Sequence, residues 1–243
     1  MGIPVIESVE PATTGGTEST DLVFASAPSG LAAGDLILII GMCEQQNTDE
    51  WQALTGYTAI VLGNNANDAH LRFYWRITTG DANDGFPNLT PTTSYPTFKV
   101  GWACRISGVN TSDPINQTGT AEIGSGPDIE VDALTTDAIN CLAIFGIAID
   151  GSDVTPVSIS GGTGWSMYGN LEDPADNADG VGGAFGTKEV PSIGSTGTVT
   201  LTWDADGFQA VQLAIEGAAD GGGISMPLVM LQHDHFGGGK ING

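Results

Sequence analysis

The same β unit is written twice in this chain, roughly 105 to 112 positions apart, and that duplication constrains the fold more than any other feature. Leu36-Ile37-Leu38-Ile39-Ile40-Gly41-Met42-Cys43 returns as Cys141-Leu142-Ala143-Ile144-Phe145-Gly146-Ile147-Ala148, with Gly41 falling on Gly146. Thr55-Gly56-Tyr57 maps onto Thr163-Gly164-Trp165 and Leu89-Thr90 onto Leu201-Thr202. The stretch from Trp102 to Gly108 maps onto the one from Val211 to Gly217. Four landmarks in one order, with spacing that changes only across presumed loops, predict two pseudo-repeated halves, about 20–110 and 125–218.

The expected fold class is all-β, an antiparallel β-sandwich or jelly-roll-like body. At 40% hydrophobic, 243 residues can bury a sizeable core. Thirty-six glycines, many Thr, Ser, Asn and Asp residues, and few helix formers favour short strands joined by turns. Period-two alternation supports this. Leu71, Phe73, Trp75 and Ile77 share one face of a strand, with Arg72, Tyr74 and Arg76 on the other. Phe98, Val100, Trp102, Cys104 and Ile106 point one way, Lys99 and Arg105 the other. Val199, Leu201 and Trp203 alternate with threonines. These strands are expected to keep one wet or lightly covered face. The runs Leu36 to Cys43 and Cys141 to Ile149 are apolar nearly throughout, so they should be covered on both faces or lie centrally. Turn signals stand at Pro28-Ser29-Gly30, Asn64-Asn65, Asp84-Gly85, Asp150-Gly151, Gly161-Gly162 and Asp206-Gly207.

Two arrangements fit the repeat: two small sandwiches in tandem, or two halves of one larger sandwich. The second is preferred, because the connector from Asn110 to Asp128 has no long flexible linker. Residues 1–218 thus form the body and 219–243 a Gly-rich C-terminal arm. Within the arm, Ile224, Met226, Pro227, Leu228, Val229, Met230 and Leu231 lie between Gly221-Gly222-Gly223 and Gly237-Gly238-Gly239. A short apolar segment on a glycine leash is a strand or arm suited to docking on a neighbouring subunit or on its own body.

Charge narrows the partners. Twenty-nine acidic residues face six Lys and Arg, for a net charge of −23. Such a surface repels nucleic acid and anionic membranes, so neither is expected as a partner. Cys43, Cys104 and Cys141 sit inside apolar strand patterns and read as buried free thiols from a reducing cytosol. The N-terminus has neither the basic region nor the apolar stretch of a signal peptide.

Catalytic chemistry finds little material. His70, His233 and His235 are the only histidines, and neither a Gly-x-Ser-x-Gly elbow nor a phosphate loop is present. The chain is not expected to be an enzyme; a carboxylate pair for polysaccharide cleavage cannot be picked out from so many acids. His233-Asp234-His235 puts two imidazoles on one side of an extended chain, where a symmetric assembly could gather several around a transition metal. The plainer reading is a polar end to an apolar arm. Asp81-Ala82-Asn83-Asp84-Gly85 starts like a calcium loop, but Thr92 stands where a closing Glu is needed. Asp173 to Asp179 and Asp204-Ala205-Asp206-Gly207 are equally incomplete, and turn chemistry explains all three, so no cofactor is expected. Trp51, Tyr95, Trp165 and Tyr168 lie near turns and would form a glycan platform if exposed in a row. The rival reading has Tyr57 and Trp165 plugging the same corner of each half.

The combination of Ser29-Gly30-Leu31-Ala32-Ala33-Gly34-Asp35-Leu36-Ile37-Leu38, Gly56-Tyr57, the run from Arg72 to Ile77 followed by Thr78-Thr79-Gly80-Asp81, and Trp102 to Val109 resembles a β-sandwich unit of tailed-bacteriophage structural proteins. The likeness spans roughly residues 20 to 218 and is strongest in the first half. In the second half, the stretch from Val181 to Phe185 replaces the aromatic run. The resemblance brings no catalytic residues. It implies a virion component made in the host cytoplasm: a capsid decoration protein or head fibre, or a tail-associated protein, contacting copies of itself and other virion proteins. The alternative is a carbohydrate-binding or adhesion module that recognises a host surface glycan.

Overall fold

The fold is known from a computed structural model that describes residues 2–14, 21–43, 51–60, 62, 69–80, 98–150, 157–173 and 180–219. The described residues form strands and no helix, so none is long and apolar enough to cross a membrane as a helix. In chain order the strands are β1 (Val5–Thr13), β2 (Leu36–Cys43), β3 (Thr58–Ile60), β4 (His70–Ile77), β5 (Lys99–Ser107), β6 (Ile115–Thr118), β7 (Glu122–Val131), β8 (Thr135–Thr136), β9 (Cys141–Asp150), β10 (Ser158–Gly161), β11 (Ser166–Asp173), β12 (Val181–Val190), β13 (Gly194–Ser195) and β14 (Val199–Glu216).

The fold is all-β and sandwich-like, with every pairing between strands antiparallel. The first sheet runs β1-β5-β2-β4-β3 and the second β10-β14-β9-β12-β11, with β6 and β7 also paired to β14; β8 and β13 form a separate ribbon. The strips β5-β2-β4-β3 and β14-β9-β12-β11 therefore repeat one strand order. The two all-apolar runs occupy the same place in each, central in the sheet and buried along nearly their whole length. In the second sheet Asn170 Nδ2 donates to the Val157 carbonyl at 3.0 Å, drawing β11 back towards β10, so that sheet curls towards closure.

Cross-strand register corrects the sequence alignment by one residue. Lys188 lies opposite Ala143 as Arg76 lies opposite Ile37, and Ile215 lies opposite Leu142 as Ile106 lies opposite Leu36. The counterpart of Leu36 is therefore Leu142, not Cys141, and the counterpart of Gly146 is Ile40, not Gly41. Matching glycine to glycine in the sequence put opposite faces of two strands together, because a shift of one turns every side chain over. The aromatic run from Arg72 to Ile77 likewise corresponds to Ala184 to Glu189, with Phe73 equivalent to Phe185, rather than to Val181 to Phe185. The mapping of Trp102 to Gly108 onto Val211 to Gly217 satisfies the register without adjustment.

Three apolar clusters follow from this stacking. The central one joins Leu36, Leu38, Ile40, Phe73, Trp102 and Ile106 of the first sheet to Leu142, Ile144, Phe185, Val211, Leu213 and Ile215 of the second. A second cluster lies on the far side of the second sheet and a third on the far side of the first, the latter covered by Leu22, Phe24, Trp51 and Leu54. Each fully buried Leu or Ile contributes about 1.5–3 kcal/mol, so the central strands, buried on both faces, carry most of the stability. The expectation of a lightly covered outer face on β4 and β5 is corrected: Tyr74 and Lys99 are fully buried there. Asp206-Gly207 is not a turn either. β14 runs on through it, and the pairing with β7 slips between Thr202 and Asp206, which is how a β-bulge bends a long strand without ending it.

Candidate functional site

The two far faces are counterparts, and their corners match in detail. Gly56 and Gly164 both take the left-handed conformation, with φ of 79° and 82°, turning the chain so that Tyr57 and Trp165 drop onto their sheets. Arg76 Cζ lies 4.8 Å from the centre of the Tyr57 ring, and its counterpart Lys188 places Nζ 5.9 Å from that of Trp165. Lys188 is also held by donating to the Thr196 carbonyl at 2.6 Å. Beside it is an open cleft of about 420 Å³ lined by Gly164, Ser166, Thr187, Lys188 and Glu189.

The aromatic platform is not formed. Trp51 and Trp165 are buried, at 3% and 7% exposure, under the far faces of different sheets. Trp165 packs edge-on against Phe145 at 5.6 Å, so burial of a large ring outweighs its use at a surface. Tyr168 is exposed at 46%, stacked on Phe185 with its hydroxyl donating to the Ile6 carbonyl at 3.4 Å. Tyr95, the arm residues Ile224 to Leu231, His233 and His235 lie outside the described residues. So does the calcium-like segment from Asp81 to Gly85. Among the described residues, no three His, Cys, Asp or Glu side chains converge as metal ligands.

Alternation alone predicted that Arg72 and Arg76 share a face and that Lys99 and Arg105 do. The structure adds that the two faces are one surface. Lys99, Cys43 and His70 make one row across β5, β2 and β4; Gly101, Gly41 and Arg72 make the next; Arg105, Ile37 and Arg76 lie at the other end. Four of the six Lys and Arg residues of the chain thus lie on the far face of the first sheet. Arg105 Nε bonds Asp35 Oδ2 at 2.6 Å, and the same oxygen accepts the Ala32 N–H at 2.8 Å, which ties the β5 end to the turn before β2.

At the same end of β5 the first and last described stretches of the body meet. Ala218 N donates to the Gly108 carbonyl at 2.7 Å, Gly217 N to Asn140 at 3.1 Å, and Asn140 N to Pro191 at 3.2 Å. A methyl group on Gly217 would lie 2.5 Å from the Gly2 carbonyl oxygen. Ile139 and Ile193, next to this junction, are exposed at 45% and 61%. Asn116 and Asn110 hold the Glu216 carboxylate at 3.3 and 3.0 Å, fixing the end of β14.

No family model, no curated protein and no solved structure matches this chain.

Proposed function

We propose that the protein is a structural component of a bacteriophage virion, an accessory capsid or tail-associated protein that acts through contacts between subunits. One observation carries the reading furthest: the last residues of the described body, Gly217 and Ala218, lie near the exposed Ile139 and Ile193, and the apolar segment Ile224 to Leu231 follows shortly in the sequence. A two-sheet body followed in sequence by a short apolar segment between glycine runs is suited to gripping a neighbour. The acidic exterior keeps assembled particles apart. Partners in this reading are copies of the chain and other virion proteins. The glycan-binding alternative lacks support from Trp51 and Trp165, both of which are committed to packing.

Removal of Gly221 to Gly243 is the direct test. The full chain is expected to sediment as an oligomer, or to co-assemble with purified particles, and the truncated chain to remain a folded monomer that does neither. Equal sedimentation and equal particle binding of the two would overturn the reading.

A further inference from the structure

The two halves build one corner on the same backbone with different side chains, and only the second half's side chains are polar there. Gly164, Ser166, Thr187, Lys188 and Glu189 line the open cleft of about 420 Å³; by register their counterparts are Gly56, Thr58, Trp75, Arg76 and Ile77. Backbone does not separate the two corners. Gly56 and Gly164 share the left-handed turn, Thr58 begins β3 opposite Trp75, and Ser166 begins β11 opposite Thr187. Both β4 and β12 thus run on past the start of the strand beside them. Side-chain size and polarity do separate them: Trp75 and Ile77 pack against the central cluster, while a threonine and a carboxylate hold those two places in the second half. An indole and a branched alkyl chain are missing where the cleft lies.

The groups that replace them have bonds to give. Among the described residues, no hydrogen bond or ion pair engages the side chains of Ser166, Thr187 or Glu189. Lys188 spends one of its three donors on the Thr196 carbonyl and rests over the Trp165 ring, which fixes where its ammonium stands. Thr187 and Glu189 lie on one face of β12 and Lys188 on the other, and the cleft takes in both because it wraps the stretch of β12 that β11 leaves open. Two hydroxyls that donate and accept, a carboxylate that accepts and an ammonium that donates therefore meet around one space. Its volume falls within the roughly 300–1,000 Å³ of small-molecule sites.

The lining selects the ligand's chemistry. Lys188 and Glu189 cancel in charge, so neither an anion nor a cation is favoured locally, and the net charge of −23 repels anions from the whole surface. Apart from the Lys188 stem no apolar side chain lines the cleft, which disfavours a greasy ligand. What remains is an uncharged molecule carrying several hydroxyls. We propose that this cleft is a binding site for a neutral saccharide, held by Ser166, Thr187, Lys188 and Glu189. The corresponding corner of the first half, with Trp75 and Ile77 in place, has no such role.

The test uses the full chain, labelled with nitrogen-15, titrated separately with glucose, galactose, mannose and N-acetylglucosamine. Glycerol, glucosamine and glucose 6-phosphate serve as the small-polyol, cationic and anionic comparisons at matched ionic strength. At least one neutral sugar should move the amide resonances of Gly164, Ser166 and Thr187 to Glu189 saturably, with a dissociation constant on the order of 1 mM, as so few ligand atoms allow. Thr187→Trp combined with Glu189→Ile, which installs the first half's residues, should abolish that movement while keeping the β-sheet circular dichroism. Should the double variant fail to fold, Ser166→Ala carries the comparison and should weaken binding about 3–10-fold. The proposal is overturned by no saturable movement with any neutral sugar up to about 100 mM, a hundredfold above that value. Equal movement with glycerol, tighter binding of either charged sugar, or undiminished binding in the folded variants would overturn it too. The site belongs to the body and not to the C-terminal arm, so failure here leaves the subunit-contact reading standing.

Discussion

A methyl group at position 146 would lie 2.7 Å from Phe73 Cζ and 3.4 Å from both Leu71 methyl carbons, across the central core from β9. Gly146→Ala is accordingly expected to lose about 1–3 kcal/mol through overpacking, measured by urea denaturation. An unchanged midpoint would mean the sheets can separate at that point. Trp165 gives the opposite case. Its buried indole N–H has no partner among the described residues, so Trp165→Phe should cost less than about 1.5 kcal/mol while Trp165→Ala costs about 3–5, since packing and not polarity holds the ring. Cysteine thiols add a pH dependence. Burial raises the Cys104 thiol far above its ordinary value, and burial followed by the Glu216 and Asp137 charges pushes Cys141 up to about 11. In the unfolded chain both ionise near pH 9, so from there upwards the native state holds more protons and stability falls as pH rises. Thermal unfolding at pH 9 to 11 should show that decline, and Cys104→Ala should make it shallower; an identical slope would assign the loss to other groups.

Among the elements, β14 is the one that has to turn a corner. Its bulge lets one strand pair with β7 along most of its length and with β10 and β9 in succession. The bend is held by Gln212, buried at 1%, whose amide donates to the Val131 and Gly197 carbonyls at 3.2 and 3.0 Å and accepts from Thr196 at 2.6 Å. Thr196 in turn accepts the Leu134 N–H at 3.0 Å, so Gln212 helps fasten the β8 and β13 ribbon to the sheet, alongside the Lys188 bond to the Thr196 carbonyl. Gln212→Leu would remove the bonds that Gln212 makes to two carbonyls and a hydroxyl, for a loss of about 1–3 kcal/mol. Hydrogen exchange should localise the effect to residues 131 to 136 and 194 to 199. Uniform loosening of both sheets would contradict that assignment.

For the whole molecule, the central cluster draws residues from both sheets, so neither half keeps its core alone. Calorimetry should record one unfolding transition, and a chain cut between the halves should not fold as residues 1–110. Two separable transitions would instead mean that the outer clusters suffice. The large-scale design was legible in the sequence because apolar alternation and the two all-apolar runs are local statements about which faces are dry. Leu71, Phe73, Trp75 and Ile77 do face the core together, and β2 and β9 are the buried central strands. What the sequence alone determined was the β class, the faces of individual strands and the equivalence of Tyr57 with Trp165. Only the tertiary structure decided the true register between the halves, since one position of slip inverts a face without altering composition. Only it could bring Lys99 of β5 onto one buried surface with His70 and Arg72 of β4, because hydrogen-bonded pairing, not distance along the chain, sets which side chains become neighbours.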